Sequence, residues 1–436
     1  MILSLPIKPY LFRLMTSVCS DCARFVCFVN IFFLCLMPLA NAHTKSDIQF
    51  SGFATLGISS ENKDDLGFLR DGGQSKDPSR NTSIAPDSSL GLQLSYSFLD
   101  DWRATTQLMY RDRPRYNFDE SLEFAFIGYR PFSGLDLRLG RVAVDMFQLS
   151  DFRRVDYVNL WVRPPTEVYG WILPSSINGA DAAYSFSYGR SFWRFKLQYG
   201  DSKPVLEFSD GSEIVEAEFN EFVVATVTLD MDAWRMRLSY SQATPSASPL
   251  SFLSILADIG NLVPGPVGEE ATFLAKTFSD ASGAKVYYSQ ASLGYDDGDW
   301  LANTEFTYIT TTGAIIPTGT AGYLSVGRRF GAFTPYAMYS RFFSDQDLYK
   351  STTDWSQSGF EALKDAAIAS INGVQVEQHT QTLGLRWDLA PKLALKTQWD
   401  HTYIEAGRYS AWAHTNGRAL KGTTVNLFSV ALNLVF

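Results

Sequence analysis

The sequence predicts an all-β chain that folds as a transmembrane antiparallel β-barrel of about sixteen strands. Three observations predict this class. Apolar and polar side chains alternate with period two along most of the chain, and the connections alternate between short and long. No apolar run after the N-terminal segment approaches the ~20 residues of a transmembrane helix. A chain without such a helix spans a membrane only if its strands close into a barrel that leaves no unpaired edge.

Composition limits the function classes. Of the 436 residues, 46% are hydrophobic and 14% aromatic, which excludes an intrinsically disordered chain. The formal charge is −9 and no basic run occurs, so nothing in the sequence favours nucleic-acid binding. All four cysteines fall before residue 43, so we expect neither disulfides nor cysteine–metal sites in the remainder.

Residues 1–42 are predicted to be a signal peptide. The apolar run Phe25–Met37 has the length of a signal-peptide core, and Ala40-Asn41-Ala42 has the small-x-small pattern of a cleavage site. Cleavage after Ala42 leaves residues 43–436 as one barrel domain. Arg24 followed closely by the apolar run fits a start at Met15 better than a start at Met1, so the translation of residues 1–14 stays open.

The period-two stretches give sixteen candidate strands, and a count by eye leaves fourteen or eighteen open. Their lengths are close to the roughly 9–11 residues that a tilted strand needs to cross a bilayer. They are Ile48–Ile58, Ser88–Phe98, Trp102–Arg111, Ser121–Tyr129, Leu135–Arg141, Asn178–Tyr188, Phe192–Gly200, Phe219–Leu229, Ala233–Ser241, Ala284–Tyr295, Trp300–Thr310, Gly319–Arg329, Phe333–Phe343, Val376–Trp387, Lys392–Tyr403 and Thr423–Phe436.

The connections between these strands alternate in length. Tight turns such as Gly189-Arg190 carry turn-forming residues, and every second connection is longer. Short periplasmic turns and long extracellular loops are typical of outer-membrane barrels. Helices are expected within two of the long loops, over Pro249–Gly260, Gly268–Ser279 and Trp355–Ser370. The polar loop 59–87 is expected to be mobile material at the outer surface.

Each candidate strand has an apolar face and a polar face. In Phe192–Gly200, Trp193 and Leu197 alternate with Arg194 and Lys196. Trp102, Trp193, Trp234 and Trp300 each follow a tight turn, as an aromatic girdle at one membrane interface would. The polar faces are predicted to form a basic lumen wall. Its cations are Arg103, Arg111, Arg138, Arg194, Lys196, Arg235, Arg237, Arg341, Arg386 and Lys396, with Glu123, Asp230, Glu305, Asp388 and Asp400 among them.

The segment Val142–Ile177 is far longer than the usual connection of about 4–6 residues. Pro164-Pro165 excludes a helix or a central strand at that point, and the many aromatic residues argue against disorder. We expect the segment to fold into the lumen and narrow it; a surface loop with salt bridges is the alternative. The predicted constriction residues are Arg141, Asp145, Asp151, Arg153, Arg154, Asp156, Arg163 and Glu167.

The last strand, TTVNLFSVALNLVF, alternates and ends on Phe436. In this, and in the long segment after strand five, the chain resembles the Gram-negative outer-membrane porins. The resemblance implies a terminal aromatic read by the barrel-assembly machinery, a homotrimer in the outer membrane in contact with lipid and lipopolysaccharide, and a third long loop that constricts the pore. The Pro-Glu-Phe-Gly-Gly-Asp stretch of the enteric porins is absent, and Arg163–Gly170 reads RPPTEVYG instead.

The expected function is therefore a water-filled channel for passive diffusion of small hydrophilic solutes and ions. The alternative is a substrate-specific channel with a binding site at the constriction; a barrel enzyme is a third reading. Catalysis finds little support, because His401 falls on an outward face, His414 lies in a loop, and no histidine has metal-ligand spacing. We expect no enzyme activity, no cofactor and no metal. A basic wall that faces a loop of mixed charge would sort ions by charge.

Overall fold

The computed structural model describes residues 48–436 apart from 78, 80, 172–173, 208–213, 248–250, 280–282, 314–315, 410 and 415–420. Sixteen long strands form one closed antiparallel barrel. In chain order, β1 to β16 are Ile48–Glu61, Ser89–Leu99, Trp102–Arg111, Leu122–Phe132, Leu135–Ala143, Ser176–Tyr188, Ser191–Ser202, Ile214–Met231, Trp234–Ala247, Val286–Asp296, Trp300–Thr311, Gly319–Arg328, Phe333–Ser344, Val376–Ala390, Leu393–Tyr409 and Thr423–Val435.

Closure joins the first strand to the last. Strand β1 pairs with β2 on one side and with β16 on the other, where Phe53 lies opposite Val435. The amide of Phe436 donates to the carbonyl of Gly52 at 2.9 Å, and the amide of Gly52 donates back at 3.0 Å. Every candidate strand corresponds to one barrel strand, so the fold class that alternation predicts is confirmed.

Tight turns and long loops lie at opposite ends of the barrel. Two-residue turns such as Gly189-Arg190 join alternate strand pairs, and Gly189 has a φ of +58°, which glycine adopts without steric cost. Many apolar side chains in the middle of strands point outward, including Leu139, Leu238 and Phe428 at 67%, 62% and 60% exposure. Such a band on the outer face is the surface that a bilayer would cover.

Aromatic rings gather on the outer face near the tight turns. Trp102 stacks on Tyr129 with 4.4 Å between ring centroids, and Trp234 lies 4.6 Å from Tyr295. The strand registers bring these rings together, because each tryptophan is the first residue of its strand and lies directly opposite the tyrosine of the neighbouring strand. These rings occupy the depth that the sequence predicts for an interfacial girdle.

The helices all lie in the long connections. They are α1 Phe118–Ser121, α2 Thr166–Tyr169, α3 Ser251–Leu262, α4 Pro266–Ser279 and α5 Glu361–Gly373. The last three pack together through Leu256, Leu274 and Ile371 around the buried Trp355. The expected helix near 355–370 therefore begins later than predicted, because Trp355 precedes it as a core residue. No helix among the described residues is both long and apolar enough to cross a bilayer.

The first long loop, residues 62–88, folds inward. Its short strand Leu66–Phe68 pairs with Trp412–His414 of the last loop, and Phe68 lies edge-on to Trp412 with 5.6 Å between centroids. Leu66, Phe68, Arg70 and Asp71 are all buried. Residues 66–71 are therefore buried and do not lie at the outer surface as expected, because the short apolar run in this polar loop packs away from water.

The largest hydrophobic core lies inside the barrel. Residues 144–175, called the inserted loop below, connect β5 to β6 and contribute Val144, Phe147, Trp161, Val168 and Tyr169 to it. Wall strands from β8 to β14 supply the other side. The inserted loop is rich in aromatic residues because it buries one apolar face against the inner wall of the barrel.

Candidate functional site in the barrel lumen

Aromatic side chains fix the inserted loop against one half of the inner wall. The ring of Phe147 lies edge-on to Tyr288 of β10 with 5.7 Å between centroids. Trp161 lies edge-on to Tyr323 of β12 with 5.5 Å between centroids. These four side chains are almost fully buried. Edge-to-face contacts between large buried rings stabilise a single packing arrangement, so the loop has a defined path across the lumen.

Hydrogen bonds to polar wall residues define the same path. The indole nitrogen of Trp161 donates to the Ser325 hydroxyl of β12 at 2.7 Å. The Ser340 hydroxyl of β13 donates to the Glu167 carboxylate at 2.7 Å. Glu305 of β11 accepts from the amide of Gln148 at 3.0 Å and from the Tyr169 hydroxyl. Buried polar groups on three adjacent strands are thus satisfied by the loop.

Two cations of the predicted basic wall bind the loop's backbone. The Lys396 amine of β15 donates to the carbonyls of Asp156 and Asn159 at 2.5 Å and to that of Trp161 at 3.0 Å. Arg386 of β14 donates to the carbonyls of Tyr157 and Asn159 at 2.6 and 3.0 Å. Both cations therefore hold the loop in place, and Lys396 is shielded from the lumen.

Arg163 is the most heavily paired charge of the loop. Its guanidinium donates to Asp87 at 2.9 and 2.6 Å and to Asp400 of β15 at 2.8 Å, and it also donates to the Ser429 hydroxyl. The side chain is 2% exposed, so this network is buried. Arg70 of the first loop binds Asp156 with both terminal nitrogens in a second buried pair. Paired and hydrogen-bonded in this way, buried charges lock the two loops together.

Asp145 lies at the start of the inserted loop, between two wall cations. Its carboxylate oxygens are 2.7 Å from the Arg237 guanidinium of β9 and 3.1 Å from the Lys196 amine of β7. Burial raises the pKa of Asp145, but Lys196 and Arg237 outweigh burial and hold the pKa at about 2. This carboxylate is therefore ionised at neutral pH.

Two residues that were predicted to face the lumen lie on outward faces of their strands. Arg141 lies on the outward face of β5 and donates to Asn178 and Asp119 at 3.0 and 2.8 Å. Arg341 shares the outward face of β13 with exposed Tyr339, and its guanidinium lies 3.5 Å from the Phe343 ring centroid. Both are near the long-loop ends of their strands, where an outward arginine finds polar partners or an aromatic face. The structure thus replaces both lumen placements with outward ones.

Glu167, which was predicted to lie at the constriction, is buried between the inserted loop and the wall. Glu167 accepts from Ser340, Gln378 and Thr380 and has no arginine or lysine partner within the described part of the chain, so it anchors the loop through neutral groups. The side chain of Asp151 lies outside the described part of the chain, as do the cleavage residue Ala42 and the whole of residues 1–47.

A polar sector of the wall, on strands β2 to β7, remains beside the loop. Near the tight turns it borders a cavity of about 290 Å³ lined by Arg103, Thr105, Arg138, Asp181 and Arg194. Arg138 binds Asp181 at 2.6 Å. Within the described residues, Arg103 and Arg194 form no ion pair. Arg235 lies at the same end of the barrel and binds Asp230 at 2.6 Å. Among the described residues, this sector therefore keeps two cations of the predicted basic wall without an ion pair, Arg103 and Arg194.

Four arginines meet at the long-loop end of the same sector. Arg111 of β3 and Arg154 of the inserted loop share Asp71, while Arg113 lies 3.7 Å from Glu120 and 3.5 Å from Glu123. Arg153 packs over the Phe147 ring at 5.3 Å. Asp71, Asp87, Arg70 and Arg113 lie in loops without periodicity, so alternation along the chain cannot predict their part in the site.

No family model and no curated protein matches this sequence. The structure is similar to OmpF of Salmonella typhi in a complex with daunomycin, with a TM-score of 0.53 and 12% identity over 90% of this chain and 98% of that one. It is also similar to an anion-selective porin from Comamonas acidovorans, with a TM-score of 0.51 and 12% identity over 90% of this chain and 100% of that one. These likenesses show the fold: the chain is a sixteen-stranded barrel of the porin type.

Proposed function

We propose that this chain, with its barrel of the porin type, is an outer-membrane porin that passes small hydrophilic solutes and ions by passive diffusion. The observation that carries the proposal is the division of the lumen. The inserted loop buries its apolar side against β8 to β14, while the sector from β2 to β7 keeps a polar lining with a cavity of about 290 Å³. A polar inner face beside an apolar outer band is the arrangement that a water-filled pore requires.

The orientation follows from the loop lengths. In outer-membrane barrels the short turns face the periplasm and the long loops face the exterior. Cleavage of the predicted signal peptide after Ala42 would deliver the barrel to that membrane. Barrel-assembly machinery that reads Phe436, a homotrimeric assembly, and contact with outer-membrane lipid and lipopolysaccharide belong to the same proposal.

Selection in such a pore is by size and by charge. The inserted loop sets the free cross-section, and the cations of the polar sector set the local potential. The cavity near the tight turns is lined by equal numbers of charges, namely Arg103, Arg130, Arg138 and Arg194 with Asp100, Asp101, Asp136 and Asp181. Any preference for anions therefore depends on the cations that lack an ion pair within the described part of the chain, Arg103 and Arg194, and salt reduces the effect of their charge with a Debye length of about 10 Å at 0.1 M. The proposed pore carries out no catalysis.

Solute uptake into liposomes tests this function. Protein folded from the mature chain and inserted into liposomes is expected to admit small neutral sugars at rates that fall steeply with solute size. Liposomes prepared with unfolded protein are the control. Size-independent exclusion of every solute, together with no conductance in planar bilayers, would overturn the proposal.

A substrate-specific channel is the second candidate, and one observation favours it. Arg153 is 7% exposed and carries two terminal nitrogens that bind no partner among the described residues. Saturable block of the ion current by one class of solute would favour this candidate over unselective diffusion.

A further inference from the structure

The four-arginine cluster consists of Arg111, Arg113, Arg153 and Arg154. It forms where the inserted loop meets the long-loop ends of β3 and β4. The side chains of Arg111, Arg113 and Arg154 are 10%, 9% and 11% exposed. Each guanidinium is therefore largely withdrawn from bulk water, yet solvent still reaches part of the cluster.

The ion pairs that the cluster forms leave one guanidinium unpaired. Asp71 is shared by Arg111 and Arg154, and Glu120 and Glu123 both lie beside Arg113. Arg70, which is close by, is already bound to Asp156. These arrangements leave Arg153 as the one arginine of the cluster without an ion pair among the described residues. A buried cation of this kind is costly unless an opposite charge reaches it.

Donor nitrogens in the cluster also lack partners. Both terminal nitrogens of Arg153 and the Nε atoms of Arg111, Arg113 and Arg154 bind no acceptor among the described residues. The unused hydrogens therefore come from all four side chains. A guanidinium presents its hydrogens in a planar fork that matches the two oxygens of a carboxylate or a phosphate. The chemistry of the cluster thus suits an oxyanion better than a neutral solute.

The protonation of Arg153 is secure at neutral pH. Burial and the neighbouring Arg154 lower the pKa of Arg153 to about 10, while Asp71 acts in the opposite direction. The group still carries its charge three pH units below that value. An anion that approaches it therefore meets a full positive charge in a region of low effective dielectric.

The cluster also lies on the proposed route through the barrel. Arg111 and Arg103 are on the same inward face of β3, separated by Thr105, Gln107 and Met109. At about 3.3 Å per residue, the two arginines are roughly 26 Å apart along the strand. A solute released from the cluster would pass along this strand to the cations of the cavity near the tight turns.

We propose that the four-arginine cluster is a binding site for the oxyanion group of a small solute, a carboxylate or a phosphate, with Arg153 as the residue that such a group neutralises. This inference rests on the proposed pore and deepens its second candidate, the substrate-specific channel, by naming the class of solute that such a channel would bind. It makes the loop arginines a recognition element, whereas Arg163 in the same loop is a structural anchor.

Binding is tested on the folded full-length mature protein in detergent at pH 7. Titration calorimetry with sodium phosphate and with sodium succinate, at constant ionic strength made up with sodium chloride, is expected to show saturable binding of at least one of them. The tighter of the two identifies the group that the cluster prefers. A response no larger than that to chloride, for both compounds, would overturn the proposal.

Substitution of Arg153 provides the matched comparison. Arg153→Gln is expected to weaken binding tenfold or more, while Arg190→Gln, which removes an exposed cation in a tight turn, leaves binding unchanged. In phosphate-free buffer Arg153→Gln should have a melting temperature at or above that of the wild type, because it removes an unpaired buried charge. Equal affinity of Arg153→Gln and wild type would overturn the assignment.

The melting temperature of the wild-type protein tests the inference without a variant. Its melting temperature should rise with phosphate or succinate and level off at saturation, since a ligand that binds only the folded state stabilises it. A flat response to both would contradict the inference. Sugar uptake by liposomes separates the two claims: uptake without anion binding rejects this inference alone, and absence of any pore rejects the proposed function.

Discussion

The Arg163 guanidinium lies 2.8 Å from the Asp400 carboxylate, so a buried ion pair joins the inserted loop to strand β15. On its other side Arg163 binds Asp87, near the start of β2, with two hydrogen bonds. One loop residue therefore connects strands on both sides of β1 and β16, where the barrel closes. The loop's position and the integrity of the closure are linked through this side chain.

Removing this guanidinium should destabilise the barrel. Arg163→Ala leaves Asp87 and Asp400 buried without their cation, and breaking a buried pair from one side costs about 3–5 kcal/mol. Urea unfolding of the protein in detergent measures the loss. Arg190→Ala is the control, because its pair with Asp232 is exposed and such pairs contribute about 0–1 kcal/mol. Equal stability of the two variants would show that the Arg163 network is unimportant.

Acid should weaken the contact at the start of the loop. Since the pKa of Asp145 is about 2 when folded, below the ~3.9 of an unfolded aspartate, its contribution is present above about pH 4 and is lost as pH falls through 2. We expect Asp145→Asn to be less stable than wild type at pH 7, by on the order of 2 kcal/mol. The difference should shrink below about pH 4. Unfolding curves at pH 7, 5, 4 and 3 test this, and a constant difference across them would contradict it.

The terminal aromatic should be needed for closure. The Phe436 ring lies against Gly52, where an added Cβ would come within 2.4 Å of it, and 6.3 Å from the Phe50 ring centroid. Phe436→Asp is expected to reduce the amount of folded protein in the outer membrane sharply. Phe132→Asp, at an exposed aromatic near a tight turn, is the control. If Phe436→Asp reached the same level in the outer membrane as the control variant, Phe436 would not be needed for closure.

The mature protein should begin at His43. The Ala40-Asn41-Ala42 pattern predicts cleavage after Ala42, and bulky residues at the small positions block such cleavage. Mass spectrometry of protein from outer membranes gives the N-terminus directly, and Ala40→Leu with Ala42→Leu should retain the leader. A mature chain that still contains Cys35 would show that the segment is not removed at this site.

Alternation along the strands was enough to predict the barrel. Successive side chains of a strand point to opposite faces, so the alternation alone places Lys196 and Arg237 on the inner face. The inserted loop is recognised by its length, which is far above that of an ordinary connection. Arg341 is predicted on the polar lumen wall and Arg141 at the constriction, yet both side chains lie on the outward faces of their strands. Near a membrane surface an outward arginine is tolerated, so charge alone does not identify the face.

Contacts between loops could not be predicted in the same way. Asp71, Asp87 and Arg70 follow no period, and their partners are distant in sequence: Asp71 binds Arg154 and Arg70 binds Asp156. The inward fold of the first loop depends on Phe68 meeting Trp412 of the last loop. Such pairings arise only after the barrel brings the loops together, so the local sequence carries little information about them.

Single-channel conductance of a loop-deleted protein shows whether the inserted loop lies within the lumen and narrows it. Residues 151–167, joined by a short Gly-Ser linker, are removed, and the variant is compared with wild type in planar bilayers in molar salt. The structure predicts a higher conductance for the deletion, because Trp161 and its neighbours no longer occupy the space beside β11 to β13. A folded variant with unchanged conductance would show that the inserted loop lies outside the conducting path.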